Sequence, residues 1–135
     1  MDKMIINIRE SFNIEDLGES DRLLGIWITR DWEVGTIHIS QPSFINTIAK
    51  QLNVSSRRSL ASPMDPALDL QTSTSTENTI DIPYVLLIGS INYCAISTHP
   101  NISYATNKCA QFTSNPNIMH WEAAKRIVCI HTNME

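Results

Sequence analysis

The sequence predicts an α+β fold made of a short N-terminal helix, an antiparallel β-hairpin and a mainly helical remainder. Three observations support this prediction. Residues 36–40 alternate apolar and polar side chains after an apolar-rich stretch at residues 23–30, which is typical of paired strands. Apolar residues between positions 44 and 52 recur at helical spacing. Prolines at positions 83, 100 and 116 each stand where a helix can begin.

The first element is a helix over residues 2–13, where Ile5, Ile8 and Phe12 share one face. An acidic turn follows at residues 16–19, and residues 23–30 form the first strand of the hairpin. Residues 31–35 supply the turn chemistry that leads into the second strand.

The clearest helix begins after Pro42, because proline suits the first helical turn, where its missing N–H has no intrahelical partner. Ser40 or Gln41 precedes that start. The apolar stripe of this helix consists of Phe44, Ile45, Ile48, Ala49 and Leu52.

Residues 54–80 show no sustained periodicity, and the polar tract at 71–79 cannot bury a core. We therefore predict three parts: residues 1–53, a polar linker at 54–80 with an extended segment at 62–66, and a helical part at 81–135. Three helices are expected in the last part. Their inward residues are Tyr84, Leu87, Ile88, Ile91, Cys94 and Ala95 in the first, Ile102, Ala105, Cys109 and Phe112 in the second, and Trp121, Ala124, Val128 and His131 in the third.

Charge argues against a general polyanion binder. The net charge is -4, whereas nonspecific nucleic-acid affinity comes mainly from lysine and arginine on phosphates. Any basic surface is expected to be local, around Arg57 and Arg58 or around Lys125 and Arg126.

The three cysteines lie far apart without a C-x-x-C pair, so buried structural thiols are expected. They suit a reducing compartment, and the chain start lacks the apolar region of a signal peptide. No run approaches the ~20 apolar residues of a membrane span. We therefore expect a cytoplasmic or nuclear protein that does not engage a membrane.

Several residues that could carry chemistry have simpler explanations. Asp16, Glu19 and Asp21 lack the spacing of an EF-hand and indicate a solvated acidic turn. His120 and Glu122 are not spaced as a zinc-protease pair, and His120 is expected to help start the last helix. Ser90 lacks the second glycine of a nucleophile elbow. No catalytic residue and no metal ligand is predicted.

One segment carries a specific resemblance. Residues 12–26 read Phe-Asn-Ile-Glu-Asp-Leu-Gly-Glu-Ser-Asp-Arg-Leu-Leu-Gly-Ile. This order resembles the end of the palm of copia-type retrotransposon reverse transcriptases, where "F-x-M-K-D-L-G-E" leads into an "F-L-G-I" strand. From the residues alone, an ordinary buried strand with a bulge is the simpler interpretation of residues 23–26.

The resemblance continues in order along the chain. Residues 40–45 are similar to the family's "S-Q-x-x-Y-I", residues 62–66 to "T-P-M-D-P", and residues 84–93 to "Y-R-x-L-I-G-S-L-x-Y". Residues 98–105 resemble "T-R-P-D-I-x-Y-A", and residues 115–126 resemble "N-P-x-x-x-H-W-x-A-A-K-R". His99 and Asn101 replace the family's arginine and aspartate.

The resemblance implies a fragment of the Pol polyprotein that covers the palm end, the thumb and the connection before ribonuclease H. Leu23, Leu24, Gly25 and Ile26 would correspond to the primer grip. Contacts to the nucleic-acid backbone are expected from Gln41, Lys50, Lys125 and Arg126.

The parent enzyme would use magnesium or manganese on paired aspartates, and this chain has no Asp-Asp pair. We therefore expect no cofactor and no polymerase activity in the fragment alone. The expected partners are an RNA/DNA primer-template and the missing palm, fingers and ribonuclease H domains. Two alternatives remain: a domesticated nucleic-acid-binding remnant, and a non-functional or protein-interaction product.

Overall fold

A computed structural model describes residues 2–15, 18–53, 62–65, 67–72 and 83–131. Within these residues the order is α1 (Asp2–Ser11), β1 (Arg22–Leu23), β2 (Ile26–Asp31), β3 (Thr36–Ser40), α2 (Pro42–Gln51), α3 (Tyr84–Ser97), a 3₁₀ turn (Pro100–Ile102), α4 (Ser103–Ala110) and α5 (Ile118–His131). The predicted α+β class is confirmed.

The first helix ends two residues earlier than predicted, at Ser11. Its expected apolar face does not enter a core, because Ile8 and Phe12 are exposed. Asp16 of the expected acidic turn lies outside the described residues, whereas Glu19 and Asp21 are exposed as expected for a solvated turn.

The sheet is antiparallel, with the strand order β1-β2-β3. The prediction of one strand over residues 23–30 is wrong, because Leu24 and Gly25 form a turn that separates β1 from β2. Leu23 pairs with Ile26 across this turn. Both turn residues have positive φ, 51° at Leu24 and 81° at Gly25, which is the left-handed backbone that tight two-residue hairpins require.

The second turn matches the turn chemistry predicted for residues 31–35. The carboxylate Oδ1 of Asp31 accepts the backbone N–H groups of Glu33 and Val34 at 3.0 and 3.1 Å. Gly35 then adopts a φ of 73°, a conformation that glycine reaches without steric cost. This turn brings β3 back antiparallel to β2.

The helix after Pro42 is confirmed, with Gln41 at its N-cap. Its stripe is buried at Ile45, Ile48 and Ala49, and Phe44 and Leu52 pack at the edge of the core. All six inward residues predicted for α3 are buried, so helical periodicity alone located this face.

The remaining helices differ slightly from the prediction. Pro100 opens a 3₁₀ turn before α4 begins at Ser103. The last helix begins at Ile118 rather than at Pro116, because the side chain of Asn117 caps it by accepting the N–H groups of Met119 and His120. The side chain of His131 lies outside the described residues.

The described core consists of α2 to α5, and no described residue before Gln41 is buried. Cys94, Cys109 and Cys129 all lie in it, as expected for structural thiols. Residues 54–61 and 73–82, including Arg57 and Arg58, lie outside the described residues. In the described part of residues 54–80, Met64, Leu68 and Leu70 pack against the core.

In the described part of the chain, each helix is too short or too polar to cross a membrane.

Candidate functional site

The turn that joins β1 to β2 is the centre of the candidate site. Leu24 is 79% exposed, and Leu23 beside it is also exposed. A Cβ added at Gly25 would meet no atom within 4 Å, so the space beside its backbone is open. The simpler interpretation of residues 23–26 as a buried strand with a bulge is therefore wrong: these residues form an exposed tip with an accessible backbone.

Tyr93 ties this tip to the helical core. The hydroxyl of Tyr93 in α3 donates a hydrogen bond to the carbonyl oxygen of Leu24 at 2.7 Å. The ring of Tyr93 also meets the ring of Phe44 in α2 edge to face, with centroids 5.4 Å apart, a favoured aromatic geometry. The turn is thus positioned by two helices that belong to the core.

Sequence reasoning missed Tyr93. It lies in the block at residues 84–93 that resembles the family's motif, but the predicted inward face of α3 does not include it. Its distance of 69 residues from Leu24 leaves no local signal of the contact.

Gln41 does not lie where a nucleic-acid contact requires it. It is 0% exposed, and its Oε1 accepts a hydrogen bond from the hydroxyl of Thr98 at 2.8 Å. Its Nε2 has no partner among the described residues. The prediction that Gln41 contacts a nucleic-acid backbone therefore conflicts with the structure, because the side chain is buried and bonded to Thr98 instead.

The hydroxyl of Thr98 also lies 2.6 Å from Nδ1 of His99. Partial burial lowers the pKa of His99, because an apolar environment disfavours the imidazolium form. His99, which stands where the family's motif has an arginine, thus belongs to a small polar group with Thr98 and Gln41 at the end of α3.

Lys50 remains available for a ligand. It is exposed in the last turn of α2, where a cation also interacts favourably with the helix dipole. Its role in contacting a nucleic-acid backbone stays a prediction.

Lys125 and Arg126, from which contacts to a nucleic-acid backbone are expected, both take part in contacts within the chain. Lys125 forms an ion pair with Glu122 one turn earlier in α5, and its Nζ lies over the ring of Trp121, 5.9 Å from the ring centroid. The Nε of Arg126 donates to the carbonyl oxygen of Ser62 at 3.1 Å. Both cations are partly buried, and Arg126 anchors the segment at residues 62–65 to the core.

His120 helps to start α5, as predicted, but in a fully buried position. Its Nδ1 accepts the N–H of Asn117 at 3.0 Å while the Asn117 side chain accepts the N–H of His120, a reciprocal arrangement like a capping box. Its Nε2 lies 3.1 Å from the carbonyl oxygen of Gln71. Its ring stacks on Phe112.

These bonds define the charge state of the imidazole. Because Nδ1 accepts a hydrogen bond, the proton of the neutral ring resides on Nε2 and is donated to Gln71. Burial lowers the pKa of His120, and the bond to Gln71 offsets part of that effect. His120 is therefore a structural, neutral histidine.

A cleft of about 540 Å³ lies between the segment at residues 62–70 and α4. Asp65 and Asp69 line one wall, and Tyr104 and Lys108 line the other. Each aspartate already accepts a local hydrogen bond, from the N–H of Ala67 and from the Gln71 side chain respectively. Across the described ranges, histidine, cysteine and acidic side chains form no group of three able to hold a metal ion.

Comparison with curated proteins finds relatives that match most of this chain. The retrovirus-related Pol polyprotein from transposon TNT 1-94 of Nicotiana tabacum is 29% identical over 128 residues, which is 90% of this chain and 10% of the relative. The corresponding polyprotein from transposon RE1 of Arabidopsis thaliana is 33% identical over 123 residues, 90% of this chain and 8% of the relative. A transposon Ty5-1 protein of Saccharomyces cerevisiae is 25% identical over 127 residues, 94% of this chain and 41% of the relative.

The chain thus spans about a tenth of the polyproteins that it matches. No family model matches it, and no solved structure matches it. The resemblance that the motifs indicated is confirmed by these relatives, which align along nearly the whole chain. The chain is therefore a homologue of one segment of the retrovirus-related Pol polyproteins of copia-type transposons.

Proposed function

We propose that this chain is the primer-grip and thumb segment of a reverse transcriptase, and that its β1–β2 turn holds a primer strand against the rest of the enzyme. The observation that carries the proposal is the exposed Leu23-Leu24-Gly25-Ile26 tip, held by a hydrogen bond from Tyr93. To hold the end of a primer strand at one position in the enzyme, a protein needs an apolar surface with an accessible backbone. This turn supplies both.

In this proposal the apolar tip contacts the sugars of the primer, and Lys50 contacts a phosphate. Gln41 makes no such contact, because it is buried. Arg126 acts by holding residues 62–65, since its guanidinium is already bonded to Ser62.

The catalytic step would depend on carboxylates outside this chain. In the parent enzyme, magnesium or manganese would activate the primer hydroxyl and stabilise the leaving group, and this sequence has no Asp-Asp pair to bind them. We therefore propose that the chain alone synthesises no DNA. Primer extension by the purified chain in either metal would refute that part.

The positioning role is tested by binding of a fluorescently labelled RNA–DNA hybrid, followed by anisotropy at low salt. We expect Leu24→Asn to weaken binding several-fold. Asparagine tolerates the positive φ of Leu24, so the substitution removes the apolar tip without disturbing the turn. Val34→Asn is the matched control, because Val34 is similarly exposed in the other hairpin turn. Equal affinities for both variants and the wild type would contradict the proposal.

A domesticated remnant is the second candidate, favoured by the helical core that α2 to α5 form among the described residues. As a remnant with a function of its own, the isolated chain would bind the hybrid with an affinity that falls steeply with salt. Absence of binding at low salt would exclude it.

A further inference from the structure

Among the described residues, the outer edge of β3 leaves backbone groups unpaired and exposed to solvent. In the described part of the chain the strand order is β1-β2-β3, so β3 has a neighbour on one side only. Residues 36–39 are exposed, with Ile37 at 63% and Ile39 at 48%. An exposed edge of this kind is a template for another strand.

The hydrogen bonds of β2 decide which groups of β3 face outward. The N–H of Ile28 donates to Asp21 at 2.8 Å, so Ile28 faces β1, and its neighbours Trp27 and Thr29 face β3. Trp27 pairs with Ser40 and Thr29 pairs with His38. Because residues alternate along an antiparallel strand, Ser40 and His38 face β2, whereas Ile37 and Ile39 direct their N–H and C=O groups outward.

The edge lacks the features by which proteins block unwanted pairing. Such features are proline, lysine and β-bulges on the edge strand. β3 contains only Thr36, Ile37, His38, Ile39 and Ser40, and each residue has a single partner in β2. Nothing in the strand therefore opposes the addition of a further strand.

The order of side chains in β3 is symmetric about His38. A hydroxyl residue stands at each end, an isoleucine follows on each side, and His38 lies at the centre. We propose that β3 pairs with β3 of a second copy of this chain, antiparallel, about a twofold axis that passes between His38 and the partner's His38.

This register satisfies the backbone and the side chains together. Ile37 lies opposite the partner's Ile39, and these are the residues with outward N–H and C=O groups, so they exchange hydrogen bonds. Thr36 lies opposite the partner's Ser40. The twofold repeats both contacts, as an isologous interface requires.

The same pairing joins two apolar surfaces. Directly opposed residues of a sheet share a face, and the register places Leu23, Ile26, Ile28, Ile37 and Ile39 on one face together with Arg30, which pairs with Ile37. In the paired state Ile37 and the partner's Ile39 meet on this face, so β-branched pairs replace water at the seam. The isoleucines at the seam join the largely apolar faces of the two copies across the axis.

The first test is the mass of the full chain in a dilution series by sedimentation velocity. We expect a species of twice 15.2 kDa that dissociates on dilution. A monomer at every concentration, or assembly beyond two copies, overturns the proposal.

The register is tested by disulfide trapping with His38→Cys and Thr29→Cys. In the proposed dimer His38 forms a pair without hydrogen bonds, with Cα atoms about 4.5 Å apart, within the range for a disulfide. Thr29 lies on the same face, one strand further in, so it is about 14 Å from the partner's Thr29. We expect rapid cross-linking of H38C only. Equal cross-linking of both variants indicates random collision and overturns the register.

A pair of lysine variants keeps the proposal falsifiable if a cysteine variant fails to fold. Ile39→Lys places a charge at the seam, whereas Val34→Lys adds the same charge to the turn of the same hairpin. We expect I39K to raise the dissociation constant of the dimer about tenfold or more and V34K to leave it unchanged. Identical masses for both variants and the wild type at all concentrations would overturn the self-pairing. The same result is expected if the edge of β3 binds a different protein.

Discussion

Residues 2–40 and residues 41–131 differ in whether their large apolar side chains are buried. The later region holds every buried residue that the structure describes, from Gln41 to Cys129. The earlier region places most of its large apolar side chains in solvent, with Phe12 at 68% and Trp32 at 72% exposed. Both regions have regular secondary structure, so regular backbone hydrogen bonding does not explain the difference.

The buried side chains that stabilise the fold and the exposed apolar surface of the sheet thus lie in different regions of this chain. Apolar burial is the main favourable term in folding, and it is concentrated in α2 to α5. The sheet is held by its own ladder and by Tyr93, which bonds to Leu24. Substitutions on this exposed surface should therefore cost the core little stability.

The largest effect should come from comparing the same substitution in the two regions. Ile127→Ala removes a fully buried side chain from α5 and should lower the free energy of unfolding by about 3 kcal/mol. Ile37→Ala, on the exposed strand, should cost less than about 0.5 kcal/mol. Urea denaturation at low protein concentration measures both without a contribution from self-association. Similar losses for the two variants would contradict the separation.

The second effect concerns pH and the core histidine. The pKa of His120 is lowered in the folded chain, so the unfolded chain binds the proton more readily. Its contribution to stability is complete above the ordinary value of about 6.5 and is lost as pH falls from there through the lowered pKa. His99 acts in the same direction.

Urea melts between pH 5 and pH 8 should therefore show a decline on the acid side. His120→Gln should flatten that decline, because glutamine at this position can retain the bond to Asn117 but has no proton to gain. Loss of the stack on Phe112 should cost H120Q about 1 to 2 kcal/mol at neutral pH. A variant with an unchanged pH slope would assign the titration to other groups.

The sequence predicted the core much better than the candidate site. Helical periodicity identified the buried faces of α2 and α3, because an apolar stripe at a fixed spacing has one packing solution. It could not show the turn at Leu24, since leucine at positive φ has no local signature and only the following glycine hints at it.

The polar positions were the hardest to place. Gln41 was read as a surface contact and is buried, because its partner Thr98 is distant in sequence. Tyr93 and Arg126 were likewise defined by contacts to Leu24 and Ser62 that no local pattern encodes. Long-range hydrogen bonds thus set the site, whereas short-range periodicity sets the core.

The third effect is the loss of the bond that links the two regions. Tyr93→Phe removes the hydroxyl that binds Leu24 and should cost about 1 kcal/mol or less. Amide hydrogen exchange should accelerate in the β1–β2 hairpin and stay unchanged in α3. Tyr104→Phe is the control, because Tyr104 is exposed on α4 and its hydroxyl forms no hydrogen bond in the described part of the chain. Faster exchange throughout α3 would mean that Tyr93 supports the core itself.

The smallest effect comes from comparing the exposed Lys50 with the buried Gln41 in binding of nucleic acid. Lys50→Met should reduce the salt dependence of RNA–DNA hybrid binding by about one phosphate contact, if the chain binds the hybrid as proposed. Gln41→Met should leave binding unchanged, because the side chain is inaccessible. It should leave stability within about 1 kcal/mol of the wild type, since the loss of the Thr98 bond is offset by removal of the unpaired Nε2. A change in hybrid affinity for Q41M with intact folding would show that the end of α3 opens when nucleic acid binds. Gln41 would then belong to the exposed region at residues 2–40 and not to the buried region.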